Sequence, residues 1–330
     1  MNNIVENPKI ILIGSVNSSR KTLEKLLEHG LNVVAVLGLH PEAASNVSGY
    51  FDLKGLSESN NIPFQYFTKV NETGIIDFVQ SKSPDLVFVV GLSQMIREEL
   101  LVIPKYGLIG YHPTRLPEGR GRGAIAWIIL GKVQGAASFF KMNEGMDSGS
   151  IWSQIDYDVD DNDDATSVIH QVLKAIDKAL DAVLPDLKKG IFMTTPQDES
   201  TATYLGKRNP EDGIIDWKQP AAYIHQLIRA TTKPLPGAYT HLGTSKIVIW
   251  NASISGITNH LGVIGRVVIA DESGIHVQTG DGLLKIENIE GIEIGTLKVG
   301  NTLGFNFEKE YFKLSDRIAT LENQLNNGNQ

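Results

Sequence analysis

Residues 107–151 read GLIGYHPTRLPEGRGRGAIAWIILGKVQGAASFFKMNEGMDSGSI, and the parsing of this stretch decides the fold. A short apolar run ending at Tyr111 predicts a β-strand, with His112 where that strand ends. A Pro/Gly/Arg loop follows, then apolar residues from Ala124 to Leu130 that fit one helix. Gly135 to Met142 predicts a second strand, and Asn143 to Gly149 is turn chemistry carrying Asp147. Parallel α/β sheets keep their chemistry in crevices beyond the carboxyl ends of their strands. The expectation is that His112 and Asp147 sit at strand ends on one rim, within reach of each other through a crossover between the two strands. Taken singly, each has a plainer role, as a packed or capping histidine and a turn-forming aspartate.

Outward toward the N-terminus, the apolar run Lys9 to Gly14 predicts a buried first strand. A helix starting at Ser18 carries the stripe Leu23, Leu26 and Leu27 and stops at Gly30. Asn32 to Leu39 is the next strand, so the order predicts a parallel unit with a right-handed crossover. The first turn, Gly14 to Arg20, has one glycine where a dinucleotide fingerprint needs three, which excludes a pyrophosphate cradle of that type. Ser15 and Asn17 in that turn are either substrate contacts or simple turn and cap residues. After a polar loop with a short helix, a strand at Ile62 to Phe67, a helix at Thr73 to Ser81 and a buried strand at Leu86 to Gly91 are expected. The loop beginning Gly91, Leu92, Ser93, Gln94, Met95 then lies at a strand's carboxyl end, beside the same rim.

Toward the C-terminus, an acidic stretch from Asp156 to Asp164 leads into a long helix from about Ala165 to Lys189 with an apolar face at helical spacing. The texture changes between Phe192 and Thr201, where polar residues and Pro196 appear. The expected organisation is an N-terminal α/β domain over residues 1–196, a small β-rich domain over 197–305 and a C-terminal helix over 306–330. Strand patterns at Lys246–Ala252, Gly262–Ala270, Gly274–Gln278 and Leu283–Ile289, separated by glycine turns, suit a small open barrel. In the tail, Phe307, Tyr311, Leu314, Ile318, Leu321 and Leu325 step by 4, 3, 4, 3 and 4, the rhythm of a coiled-coil seam. That rhythm is met by packing on the same chain or by a homodimer through the C-terminal helix.

Composition narrows the classes. The chain has 330 residues with 42% hydrophobic and 21% charged content, ordinary for a globular protein of two domains. With no cysteine there is no disulfide, thiolate nucleophile or thiolate metal site, and the eight scattered histidines form no ligand pair. No metal is expected. The net charge of −8 argues against a nucleic-acid partner. The N-terminus lacks signal-peptide character, and no apolar run approaches the roughly 20 residues that span a bilayer, so no membrane partner and a cytoplasmic location are expected.

In order, His112, Thr114, Leu116-Pro117, Gly119-Arg120-Gly121-Arg122, Trp127 and Asp147-Ser148-Gly149 match a known pattern. The stretch resembles the formyltetrahydrofolate-dependent formyltransferases, whose signature runs N-x-H-x-S-L-L-P, an RGR loop, a helix with Trp, and D-x-G-x-I. Thr203-Tyr204, residues 208–217, a helix from Ala221 to Arg229 and residues 233–240 are similar to the opening of that family's C-terminal domain. The likeness covers about residues 8–290. One position departs: the family's Asn, two residues before the His, is Gly110 here.

The resemblance implies a Rossmann-like N-terminal catalytic domain followed by an OB-like C-terminal domain. It implies transfer of a formyl group from 10-formyltetrahydrofolate to an amine, with His112 as general base and acid and Asp147 tuning it. With Gly110 offering no carboxamide to the oxyanion, the candidates to replace it are a backbone N–H near Gly110, water, the Tyr111 hydroxyl or the carboxamide of Gln94. Tyr111 ranks below it, because its side chain points to the other face of the strand. Folate contacts are expected from Gly91, Leu92, Ser93, Met95, Thr114, Leu116, Arg122, Asn143, Glu144, Gly145 and Met146. Substrate contacts are expected from Ser15 and Asn17, and from Arg115 and Arg120 as phosphate binders or as solvated surface cations. The loop from His40 to Leu53 has no Lys or Arg, which favours an amino sugar on a nucleotide over methionyl-tRNA as acceptor. A formyltetrahydrofolate hydrolase and a non-catalytic binding module are the other readings.

Overall fold

Ile10–Gly14 (β1) is buried at every position, as a strand covered on both faces must be. In this computed structural model, which describes residues 4–272, 274–305 and 307–328, it is the middle of a parallel set. Asn17–Glu28 (α1) follows, then Val33–Leu39 (β2), Lys54–Ser59 (α2), Phe64–Phe67 (β3), Thr73–Ser81 (α3), Leu86–Val90 (β4) and Glu98–Leu101 (α4). Leu108–Thr114 (β5) completes the parallel part, and Arg120–Gly121 (β6) and Ala124–Ile129 (α5) follow it. Gly135–Lys141 (β7), Ile151–Asp156 (β8) and Ala165–Lys188 (α6) close the first layer set. The sheet order is β3-β2-β1-β4-β5-β7-β8. Ile11 and Ile13 of β1 join Ile75 and Val79 of α3 and Leu100 of α4 in one core cluster. The apolar stripe of α6, including Val168, Val172, Ile176 and Leu180, is buried, and α6 neighbours α1, α5, β7 and β8.

Two expectations about the 107–151 stretch are corrected. β5 and β7 are antiparallel, not joined by a parallel crossover, with Ile109 opposite Lys141 and His112 opposite Ser138. His112 also lies inside β5, not past its end. The strand continues through Pro113 because the register shifts between His112 and Thr114, and a residue at such an irregularity owes no ladder hydrogen bond.

The chain divides into compact units 1–208 and 209–330, so the boundary falls later than residue 196. Residues 197–208 stay with the first unit because Tyr204–Leu205 (β9) pairs in parallel with β6, Arg120 opposite Tyr204 and Gly121 opposite Leu205. In the second unit, Ala221–Thr231 (α7) precedes Ala238–Leu242 (β10), Ser245–Ile254 (β11), Val267–Asp271 (β12), Gly274–Gln278 (β13) and Leu283–Glu290 (β14). The strands form one antiparallel sheet in the order β10-β11-β14-β13-β12. Its core holds Ile249, Val277 and Ile286 of the sheet with Ile224 and Ile228 of α7. β10 had no counterpart among the expected strands. The chain closes with Phe307–Gly328 (α8); residues 306, 329 and 330 of the expected tail helix lie outside the described residues. Among the described residues, no helix is long and apolar enough to cross a membrane, and no group of three or more His, Cys, Asp or Glu is placed to hold a metal ion.

Candidate active site

β5 carries Gly110 and His112 on one face, and the site grows from that pair. His112 is buried, and its Nε2 lies 2.8 Å from the Gly119 carbonyl oxygen. A carbonyl only accepts, so Nε2 holds the proton of the neutral ring and the lone pair sits on Nδ1. Nδ1 is 3.6 Å from Asp147 Oδ2. That separation is too long for a hydrogen bond, yet close enough to form an ion pair once the ring takes up a second proton.

Asp147 arrives by a route the strand order does not suggest. β7 ends beside the start of β5, and the loop after it turns back toward His112. Asn143 Oδ1 accepts from the Gly145 amide at 3.1 Å and from Ser148 Oγ at 2.9 Å, which tightens the turn. Asp147 itself adopts a left-handed backbone, φ 49°. Gly149 must be glycine: a Cβ there would lie 1.6 Å from the Lys141 carbonyl oxygen. Asp147 Oδ2 accepts from the Gly121 amide at 2.9 Å, so the glycine–arginine loop fixes the carboxylate. Gly121 is equally constrained, with φ 116° and the Leu205 carbonyl oxygen 2.6 Å from where its Cβ would be.

Gln197 was hidden in the polar stretch read as a domain boundary. Its Nε2 donates to the Asp147 and Gly149 carbonyls at 2.8 and 2.7 Å, and its Oε1 accepts from Arg120 Nη2 at 2.8 Å. Arg120 is fully buried and donates from Nη1 and Nη2 to the Glu199 carboxylate at 2.8 and 2.7 Å and from Nη1 to the Tyr204 hydroxyl at 3.1 Å. The Glu199 bond raises the Arg120 pKa, and the same bond lowers that of Glu199. As a substrate-phosphate binder Arg120 is therefore corrected: its donors are spent inside the protein, holding the turn that carries Asp147. No local sequence pattern marks Gln197 for this part.

The place of the family's Asn is filled. Phe140 lies directly across from Gly110, and a Cβ at Gly110 would meet Phe140 Cζ at 2.7 Å and Met142 Cγ at 3.0 Å. Gln94 does not replace the carboxamide. Its Nε2 donates to the Thr68 carbonyl and its Oε1 accepts from the Val70 amide, both at 2.8 Å, because the loop after β4 is stapled to the one after β3. Tyr111 lies on the other face against Phe139, its hydroxyl buried without a hydrogen-bond partner and its pKa pushed well above the usual value by that burial.

A model of the formyl transferase family matches residues 9–184, and one of the formyl transferase C-terminal domain matches residues 207–298. The chain belongs to the formyl transferase family. In structure this formyl transferase is similar to WlaRD, a sugar 3N-formyl transferase, with 18% identity over 88% of this chain and 100% of that one and a TM-score of 0.63. It is also similar to the N-formyltransferase from Helicobacter canadensis solved with folinic acid and dTDP-3-aminofucose, with 18% identity, 86% and 99% coverage and a TM-score of 0.62. Against HypX from Aquifex aeolicus, solved with tetrahydrofolic acid, the values are 18% and 0.61, and the match takes in 87% of this chain but only 45% of HypX.

The other expected contact positions of this formyl transferase divide into exposed and enclosed. Ser93 is exposed and its carbonyl accepts from Arg122, which ties the loop after β4 to the glycine–arginine loop. Met95 and Met146 are 69% and 51% exposed, and Asn143, Glu144 and Gly145 are also exposed. Gly91 and Leu92 are half-buried, and Leu92 packs on the core. Thr114 and Leu116 are buried, and Thr114 Oγ1 donates to the Glu118 carbonyl at 2.8 Å. Ser15 is buried and donates to the Gly91 carbonyl at 2.8 Å, joining the ends of β1 and β4; its reading as a substrate contact is corrected. Asn17 is half-buried at the start of α1, and exposed Arg115 pairs with Asp156 at the surface.

Proposed function

We propose that this protein moves the formyl group of 10-formyltetrahydrofolate to the primary amine of an amino sugar carried by a nucleotide. The observation that carries the reading is the ring of His112, with Nε2 pinned by Gly119 and Nδ1, which carries the lone pair, 3.6 Å from the Asp147 carboxylate. The residues present fit a folate: exposed apolar Met95 and Met146 offer surface for a flat ring, on loops tied to Arg122 and Gly121. His112 Nδ1 takes the proton that the attacking amine loses as its nitrogen bonds to the formyl carbon. Asp147 stabilises the imidazolium so formed. His112 then gives that proton to N10 of the folate as the N10–carbon bond breaks, leaving a formamide and tetrahydrofolate. A sugar acceptor is favoured over tRNA by the net charge of −8 and the loop at 40–53 without a cation.

The test is an assay of formamide formation from 10-formyltetrahydrofolate and nucleotide-linked amino sugars, run beside initiator methionyl-tRNA and beside a reaction with no amine. Formylated sugar, lost in His112→Asn, is expected. An unchanged rate in that variant overturns the catalytic reading, and formate release without amine, or formylated tRNA with a steep salt dependence, overturns the choice of acceptor.

A further inference from the structure

We infer that α8 is one strand of a parallel, in-register, two-stranded coiled coil formed with a second copy of this chain. α8 is 22 residues long, and among residues 307, 308 and 310–325 only Glu310 is partly sheltered; the others are exposed. An isolated helix of that length draws little stability from its own hydrogen bonds and depends on burying an apolar face. That face exists and is uncovered: Phe307, Tyr311, Leu314, Ile318, Leu321 and Leu325 are between 48% and 73% exposed. Six large apolar side chains in one seam, with nothing of their own unit over them, mark an interface and not a solvated surface.

The seam says what covers it. The spacing assigns Phe307, Leu314 and Leu321 to d positions and Tyr311, Ile318 and Leu325 to a positions. Ile318, the one β-branched residue among the a positions, sits between Leu314 and Leu321 at d, and β-branched a with Leu d is the combination that favours two parallel strands. The flanking charges choose the same partner and direction. Arg317 falls at g and Glu322 at the e position that faces it across a parallel pair, so two identical helices make two attractive contacts. Run antiparallel with full overlap, the same helices set Arg317 against its own copy and Glu308 against Glu322 twice, all like charges. The helix is thus complementary to itself in one orientation and repelled in the other. Fewer than three heptads are present, which makes the association concentration-dependent.

The chain lacks cysteine, which makes the test direct in the whole 330-residue chain. Leu321→Cys alone is expected to oxidise to a covalent dimer, because parallel copies place the two thiols in one layer. Light scattering of the unchanged chain should move from 36.1 kDa toward twice that mass as concentration rises. Arg317→Glu should weaken self-association about tenfold, and adding Glu322→Arg should restore it. A monomer at every concentration, or cross-linking only when Leu321→Cys is mixed with Tyr311→Cys, overturns the inference. So does an Arg317→Glu variant that associates as before.

Discussion

Gly110 and Phe140 occupy each other's space, so the departure at 110 is not a simple deletion of a carboxamide. Restoring the family residue by Gly110→Asn forces the side chain into the Phe140 ring. It should cost about 1–3 kcal/mol in urea unfolding and bring no gain in formyl transfer. Gly110→Asn with Phe140→Ala makes room, and only that pair should raise the rate; a gain from the single change would refute the filled-site account. Asp147→Asn keeps an oxygen for the Gly121 amide and removes the charge beside Nδ1. Formylation should drop on the order of 10²-fold while the melting temperature stays near that of the parent. That His112 and Asp147 lie close together was legible in the sequence because both fall in one short patterned stretch. Phe140 was not, because only the β5–β7 register sets it opposite Gly110.

At the scale of elements, residues read as a domain boundary and the start of the second domain prove to be a clasp. β9 adds to β6, and Gln197 bridges buried Arg120 to the Asp147 turn. Gln197→Ala leaves the Asp147 and Gly149 carbonyls without their shared donor. It should cost about 1–2 kcal/mol and raise amide exchange in 143–149 while β1 and β4 stay protected. Uniform protection would show that the clasp does not hold the loop. The buried runs β1 and β4 and the helix Thr73–Ser81 were readable from apolar pattern alone, since burial on both faces or one stripe leaves its period in the chain. The direction of β7 was not, because an apolar strand reads the same in either sense. β10 escaped because Ala238 to Leu242 shows neither an apolar run nor a clean alternation and follows Pro236 and Gly237, where a turn reading competes.

For the whole molecule, the two units should answer acid differently. Burial lowers the pKa of His225, helped by Arg229, and burial likewise lowers that of His276. Each binds a proton less readily folded than unfolded, so their contribution is whole above the unfolded value near 6.5 and shrinks as pH falls below it. In the first unit, burial works to raise Asp181, but hydrogen bonds from Lys25 and His29 win and hold it lower than usual. Its contribution survives to about pH 4 and is lost as pH falls through its folded pKa. Calorimetry between pH 7 and pH 4 should show unit 209–330 weakening first, and His225→Gln should flatten that slope; an unaltered slope would remove His225 from the account. The clasp bears finally on how the protein is taken apart. A cut after residue 196, where composition invites the scissors, keeps the sheet with His112 and Asp147 but discards the tether behind Asp147. A cut after 208 keeps it, so of two fragments twelve residues different in length the shorter should both melt lower and turn over more slowly.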